Sequence, residues 1–348
     1  MTDDSQLYKE IHEQPAVVGR LLVAQRPALE QLARTIRSRD VGQVLIAARG
    51  TSDNAGRYAK YALGARNRLL VGLAAPSLFT QHGSPRIGNS LVIGISQSGK
   101  SPDIVGVLKE ARRQGALTAV LTNDTGSDLA AHGDFVIDLG AGEEKSVAAT
   151  KTYTAQLAAL ALLSASLAGD AESRQALDRL PEALTATLAS CAEPAARVAE
   201  ALRGMERAVV IGRGFNYATA FEMALKLKEL TYTIVEPFSS ADFQHGPLAM
   251  LEQGFPVLVL AALGQHQDDN RALVAKLTGH GASLVGIGDD AESLAAAPSA
   301  LAVPGGLPEW LSPLTHILPG QLLALNIAGL RGHDVDAPRS IRKVTKTR

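Results

Sequence analysis

Three short turns rich in glycine or in hydroxyl side chains follow apolar, strand-like runs of this sequence. They span residues 48–54, 95–102 and 211–216. Each turn opens a helical pattern, so it offers backbone N–H groups and the positive end of a helix dipole to an anion. The first two turns also carry a high density of hydroxyl groups, which predicts a phosphate-binding site. A phosphorylated small molecule is therefore the expected ligand.

The second turn also satisfies a nucleotide-binding pattern. Residues 94–101 match the P-loop pattern G-x-x-x-x-G-K-[ST] at every position, and residues 135–138 could supply a magnesium-binding strand, so an NTPase is an alternative. Pro102, however, is typical of a first helical residue with Ser101 as its N-cap, whereas the Lys and Ser of a P-loop belong to the helix. We therefore favour a phosphate monoester held by Ser96, Gln97, Ser98 and Ser101.

A second group of chemically capable residues lies on one predicted helix and in the loop after it. Glu222, Lys226 and Glu229 are spaced i, i+4 and i+7 and share one stripe of the helix. Such spacing is usually a solvated face. Here, however, His245 follows in a polar loop bounded by glycine and proline. A Glu and a His beside a sugar phosphate suit aldose–ketose isomerisation, in which a carboxylate moves a proton between C1 and C2 and an imidazole opens the ring.

Alternating strand-like and helical patterns position these residues. In the first half, apolar runs lie at 44–47, 69–73, 91–95, 117–121 and 135–137, and helical patterns at 52–63, 102–113, 124–131 and 150–167. In the second half, apolar runs lie at 208–211, 257–261, 283–287 and 301–303, and helical patterns at 217–230 and 320–330. This alternation predicts the α/β class, with two doubly wound parallel sheets related as an internal repeat.

The repeat divides the sequence into five segments. We expect an N-terminal helical segment over 1–35, a first domain over 36–170, a helical bridge over 171–203, a second domain over 204–335 and a tail over 336–348. The tail is basic and lacks a core pattern, so pattern alone predicts a frayed end.

Composition excludes several classes of protein. The 348 residues carry a net charge of −1, which favours neither nucleic acid nor an anionic membrane as a partner. The acidic, polar start predicts no signal peptide, and the apolar run at 157–167 is too short to span a bilayer. The single cysteine, Cys191, excludes a disulfide framework, and the other histidines lack metal-ligand spacing. We expect a cytoplasmic protein without a metal or cofactor.

With these motifs the chain resembles the sugar isomerase (SIS) family, specifically the isomerase half of glutamine–fructose-6-phosphate amidotransferase, the glucosamine-6-phosphate synthase. The resemblance covers essentially the whole sequence. It is carried by residues 9–15, 49–52, 96–99, 144–151, 224–229, 245–249 and 334–339 and by Lys343. Lys100 departs from the family, because an acidic residue is usual at that position.

The resemblance implies a role for each candidate residue. Glu229 would move the proton between C1 and C2 with Lys226 beside it, and His245 would reach in from the partner subunit of a homodimer to open the ring. Lys343 would form a Schiff base with the open-chain ketose, with Lys346 as the alternative. The residues holding the sugar phosphate would be Thr51, Ser52, Ser96, Gln97, Ser98 and Ser101, with Val147 and Ala148 lining the site.

The synthase also carries an N-terminal glutaminase domain with a nucleophilic cysteine, whereas this sequence starts at the isomerase half. We therefore expect no glutamine hydrolysis and a similarity to stand-alone glucosamine-6-phosphate deaminases. The expected reaction converts D-glucosamine 6-phosphate and water to D-fructose 6-phosphate and ammonia. The alternatives are an ammonia-dependent synthase, a related amino-sugar-phosphate deaminase or deglycase, and a sugar-phosphate-binding SIS protein without turnover.

Overall fold

Two parallel sheets carry the fold, in a computed structural model that describes residues 3–343. The chain divides into two compact units. Unit 1 holds the described residues up to Pro15, together with Lys145–Thr150 and Arg179–Ile341. Unit 2 holds Ala16–Glu144, Lys151–Asp178 and the described residues from Arg342 onward.

The chain begins with two helices and then builds the sheet of unit 2. The helices are α1 (Gln6–Ala24) and α2 (Arg26–Ser38). The following elements are β1 (Gln43–Ala47), α3 (Thr51–Asn67), β2 (Leu70–Leu73), α4 (Pro76–Thr80), β3 (Ser90–Ser96), α5 (Pro102–Arg113), β4 (Leu117–Thr122), β5 (Phe135–Asp138), α6 (Lys151–Ala168) and α7 (Ala171–Asp178). The strand order is β2-β1-β3-β4-β5, with all neighbours parallel.

Unit 1 repeats this plan. Its elements are α8 (Leu180–Leu202), β6 (Arg207–Gly212), α9 (Tyr217–Thr231), β7 (Ile234–Ser239), α10 (Ser240–Gln244), β8 (Pro256–Ala261), α11 (Gln267–Gly279), β9 (Ser283–Gly288), α12 (Ala291–Ala296), β10 (Ser299–Ala302) and α13 (Ser312–Leu330). The strand order is β10-β9-β8-β6-β7, again fully parallel. The predicted α/β class with two repeated parallel sheets is confirmed.

Burial explains why the central strands are almost purely apolar. Every residue of β3 and β4 is buried, as expected for parallel strands covered on both faces. Helix α6 is buried from Lys151 to Ala165, so its apolar residues surround the helix instead of forming one stripe, and the polar residues among them are buried too. Among residues 3–343, no helix has the length and apolarity needed to cross a bilayer.

Several elements differ from the sequence prediction, which gave no helix at α11 (Gln267–Gly279) and started the last helix at residue 320 instead of Ser312. The helix predicted at 124–131 is wrong, because this segment forms turns and a short 3₁₀ helix, Ala130–His132. The Asp124 carboxylate accepts the Gly126 N–H at 3.1 Å, and the Leu129 N–H donates to the Gly99 carbonyl at 3.1 Å instead of continuing a helix. Strand β7 was missed because it lies at the sheet edge, where Pro237 and an exposed Ile234 are tolerated.

The register of unit 2 brings the strand ends to one edge. Ala47 of β1 pairs with Gly94 of β3, and Ser96 of β3 pairs with Thr122 of β4. Since all these strands are parallel, the turns that follow them emerge on the same side of the sheet, where open α/β sheets bind ligands.

Candidate functional site

The turn after β1 presents Thr51 and Ser52 at the start of α3. Gly50 precedes the helix with φ 54°, and Thr51 is its first residue. Thr51 is half-buried and Ser52 is buried. The Ser52 hydroxyl accepts a hydrogen bond from the Gln156 side chain of α6 at 3.0 Å. The hydroxyl position is therefore fixed by a helix of the core rather than by the turn alone.

The turn after β3 is shaped by its own serine hydroxyls. The Ser96 hydroxyl accepts the Gly99 N–H at 3.1 Å, and the Ser98 hydroxyl accepts the Lys100 N–H at 3.4 Å. Gly99 has φ +62°, and a Cβ there would lie 2.0 Å from the Ser127 hydroxyl oxygen, so only glycine fits. This tight turn is the kind of backbone concavity that binds anions.

The start of α5 separates the two interpretations of this turn. The expected first helical residue, Pro102, is confirmed, with Ser101 as N-cap in an extended conformation. Within the described chain, Ser101 makes no side-chain capping hydrogen bond. Lys100 lies outside the helix, and its ammonium is 3.6 Å from Asp124. A P-loop places both residues in the helix, so the geometry favours phosphate binding without a nucleoside.

An ion pair that sequence reasoning missed joins the two turns. The Arg49 Nε donates to the buried Asp103 carboxylate of α5 at 2.8 Å, while half of the Arg49 side chain stays exposed. Nearby, burial raises the pKa of the Asp53 carboxyl, an effect that Arg57 and Arg49 oppose. Arg49 and Asp103 are 54 residues apart, so only the pairing of β1 with β3 could have indicated this contact.

In unit 1, the acid–base candidates lie on α9. The Lys226 ammonium is 2.5 Å from the Glu229 carboxylate and 3.4 Å from that of Glu222. The Lys226 and Glu222 side chains are 1% and 0% exposed, whereas Glu229 is 22% exposed. The stripe is therefore not a solvated face. It is a buried charge cluster that holds one partly accessible carboxylate, the arrangement a general base needs.

His245 lies on a different element of unit 1. It follows the short helix α10 and is exposed. The Ser239 hydroxyl caps that helix by accepting the Asp242 N–H at 3.0 Å, and the His245 N–H donates to the Asp242 carbonyl at 3.0 Å. The imidazole is thus carried at a rigid helix end and faces solvent.

Val147 and Ala148 lie in a segment of unit 1 that is held by backbone hydrogen bonds. The Val147 N–H donates to the Asp336 carbonyl at 3.1 Å, and Ala148 is buried. The buried Glu10 carboxylate accepts the N–H groups of Lys145 and Ser146. Asp336 in turn accepts the first N–H groups of α1, those of Gln6 at 3.0 Å and Leu7 at 2.8 Å. Sequence reasoning did not single out Glu10 or Asp336.

Lys343 is the last described residue, and it belongs to unit 2. Its ammonium donates to the Glu144 carboxylate at 2.7 Å. Lys346, the alternative Schiff-base lysine, lies outside the described residues. In the described part of the chain, no group of three or more His, Cys, Asp or Glu side chains could hold a metal ion.

Comparison with known proteins places the chain in a family. The SIS domain profile matches residues 39–166 and 201–331, and the chain belongs to the SIS family. The curated glutamine–fructose-6-phosphate aminotransferase [isomerizing] of Pyrococcus horikoshii is 32% identical over 343 residues, 97% of this chain and 57% of that protein. The chain thus spans little more than half the length of the curated relatives it matches.

Two solved structures are also similar. A candidate phosphosugar isomerase of Silicibacter pomeroyi DSS-3 has 34% identity and a TM-score of 0.86, over 95% of this chain and 100% of that one. Glucosamine-6-phosphate deaminase of Thermotoga maritima has a TM-score of 0.81 over 99% and 100% of the two chains. Its identity of 20% makes this second likeness one of fold alone.

The charge cluster on α9 predicts a stability effect. Lys226→Met should lower the free energy of unfolding by about 3–5 kcal/mol, because the Glu222 carboxylate stays buried without the ammonium beside it. Urea denaturation measures the loss, with the exposed Lys228→Met of the same helix as control. The double variant Glu222→Leu/Lys226→Met should recover part of the loss. Equal stabilities of Lys226→Met and Lys228→Met would contradict the cluster's role.

Proposed function

We propose that this protein converts D-glucosamine 6-phosphate and water to D-fructose 6-phosphate and ammonia, with isomerisation of the sugar. The observation that carries the proposal is the Glu229 carboxylate, which is partly exposed and fixed at 2.5 Å by the buried Lys226 ammonium. A carboxylate held in this way suits proton transfer between neighbouring carbons. The name of the Pyrococcus relative, an isomerizing aminotransferase of fructose 6-phosphate, supports the substrate class.

Unit 2 supplies the phosphate-binding part of the proposed mechanism. Thr51, Ser52 and the Ser96–Ser101 turn offer hydroxyl and N–H donors at the helix starts of α3 and α5. These neutral donors and two helix dipoles suit a phosphate monoester. Val147 and Ala148 are proposed to line the sugar. Arg49, oriented by Asp103, adds a guanidinium at the same sheet edge.

The proposed chemistry has three steps. His245 assists ring opening to the aldehyde. Glu229 then takes the C2 proton while O1 gains a proton from solvent, which forms an enaminol. Glu229 returns its proton to C1 and the C2 nitrogen loses one to solvent, which leaves an imine at C2. The Lys343 amine adds to C2, ammonia leaves, and water hydrolyses the resulting Schiff base to the ketose and free lysine. The reverse sequence would aminate fructose 6-phosphate with free ammonia, the leading alternative direction.

Ligand stabilisation tests the phosphate-binding turns. Fructose 6-phosphate or glucosamine 6-phosphate should raise the melting temperature. At a ligand concentration a hundredfold above Kd, the free energy of unfolding should rise by about 2.7 kcal/mol. Unphosphorylated glucosamine and ATP with magnesium should have little effect. Ser101→Ala should reduce the shift, whereas Ser77→Ala, an exposed serine of the same unit, should not. Stabilisation by ATP alone would instead favour an NTPase.

Turnover tests the base. Wild-type protein should release ammonia from glucosamine 6-phosphate in a panel of 6-phosphorylated amino sugars, which also reports the preferred sugar. Glu229→Gln keeps the side-chain shape without the base and should lower the rate by about 10²–10⁴-fold. Glu236→Gln, an exposed glutamate of the same unit, is the control. Absence of ammonia release across the panel, together with sugar-phosphate binding, would favour a binding protein without turnover.

We further propose a homodimer in which His245 serves the partner's site, in keeping with its exposed position. Mixing Glu229→Gln with His245→Ala should then restore about a quarter of the wild-type activity, because each heterodimer regains one intact site and half of randomly mixed dimers are heterodimers. Mixing Glu229→Gln with the double variant Glu229→Gln/His245→Ala should restore none. Verified subunit exchange without recovery in the first mixture would place both residues in one chain's site.

A further inference from the structure

Glu144 is a buried carboxylate with no role in the mechanism above. Its side chain is 0% exposed, and its contacts in unit 2 include the three hydrogen bonds on which the argument rests. The donors are the Thr152 backbone N–H at 3.1 Å, the Thr152 hydroxyl at 2.8 Å and the Lys343 ammonium at 2.7 Å. A carboxylate is buried at a high cost in free energy unless its partners are well placed, so this set of contacts requires an explanation.

Thr152 fixes Glu144 to a rigid element. It lies in the first turn of α6, an 18-residue helix that is buried from Lys151 to Ala165. A negative charge at this end of the helix is stabilised by the helix dipole. The Oε1 atom accepts the backbone N–H, while Oε2 accepts both the Thr152 hydroxyl and the Lys343 ammonium. The Oε2 atom is therefore a preorganised point of the core.

Lys343 lies at the end of an exposed stretch of chain. Arg339, Ser340, Ile341 and Arg342 are all exposed, whereas the Lys343 side chain is only 24% exposed. A lysine on such a stretch keeps its rotamer entropy when nothing holds it. The contact with Glu144 removes that freedom and fixes the nitrogen within hydrogen-bond distance of a buried acceptor.

We propose that Glu144 is the positioning residue for Lys343, holding its nitrogen for attack and accepting the proton that the ammonium must lose first. This role rests on the proposed function, in which Lys343 adds to C2. The proton moves from Nζ to Oε2 along the existing hydrogen bond, and the freed lone pair forms the C–N bond at C2. Ammonia departs as the C2–nitrogen bond of the substrate breaks. Hydrolysis of the Schiff base frees the amine, which takes the proton back from Glu144.

Two rates separate this role from a general structural one. Exchange of the C2 hydrogen with deuterated solvent reports Glu229, whereas ammonia release and borohydride trapping with fructose 6-phosphate report Lys343. Glu144→Gln retains an oxygen for the Thr152 N–H and loses the carboxylate. It should slow ammonia release and lower the yield of the Lys343 adduct by about 10²-fold, with C2 exchange unchanged. Peptide mass mapping locates the adduct.

Matched variants guard against misfolding. Glu143→Gln alters the exposed neighbour and should behave as wild type in all three assays. Thr152→Val is nearly isosteric and leaves the ion pair in place while removing one hydrogen bond that orients Oε2. It should slow ammonia release about tenfold without affecting C2 exchange. If Glu144→Gln does not fold, as judged by urea denaturation, the rates of ammonia release and C2 exchange in Thr152→Val test the role of Glu144 instead.

The results that would overturn the role of Glu144 differ from those that would refute the proposed function. Ammonia release and adduct yield in Glu144→Gln equal to those of Glu143→Gln would overturn the role of Glu144. A parallel loss of C2 exchange would also overturn it, because Glu144 would then support the structure generally. Ammonia release by wild type with no adduct at Lys343 would remove the lysine, and Glu144 with it. Neither exchange nor ammonia release in wild type would instead refute the proposed function itself.

Discussion

The parallel arrangement of the strands is the constraint on which the rest of this structure depends. A parallel pair cannot be joined by a tight hairpin, so neighbouring strands need crossover connections, and β1 and β3 are each followed by a helix that starts at the same sheet edge. Both sheets obey this rule, and it gathers the turns after β1 and β3 although Thr51 and Ser101 are 50 residues apart in sequence. The N-termini of the helices and the hydroxyl side chains therefore lie at one sheet edge without a separate binding loop.

Three buried carboxylates are each held by a cationic partner. Asp103 is paired with Arg49, Glu222 with Lys226, and Glu144 with Lys343 and Thr152. Asp103 and Glu222 belong to helices, whereas Glu144 lies in a loop and contacts the first turn of α6. The partners Arg49 and Lys343 are more exposed than the carboxylates they contact. Lys226 is itself buried, and its ammonium also fixes the carboxylate of the more exposed Glu229. Side chains fixed in this way lose little further entropy when they act on a substrate.

Much of the fold followed from the sequence, because parallel strands buried on both faces leave unbroken apolar runs and helices leave a 3.6-residue period. The start of α5 at Pro102 was predictable from local chemistry alone. Strand β7 was not predictable, because an edge strand needs no apolar run. The helix prediction at 124–131 was wrong because the Asp124 carboxylate accepts a hydrogen bond within its own turn. The stripe of Glu222, Lys226 and Glu229 was visible, but its burial was not. The contacts Asp103–Arg49, Glu10–Lys145 and Glu144–Lys343 join residues that are 54 to 199 positions apart, beyond any local pattern.

Asp336 joins two parts of unit 1 that are almost the whole chain apart. Its carboxylate accepts the N–H groups of Gln6 and Leu7, 330 and 329 residues away, and its carbonyl accepts the N–H of Val147. Closing so long a loop costs little more entropy than closing a moderate one, because the cost grows only with the logarithm of length. Fraying at the start of α1 would break both hydrogen bonds to the Asp336 carboxylate, so we expect the two regions to open together.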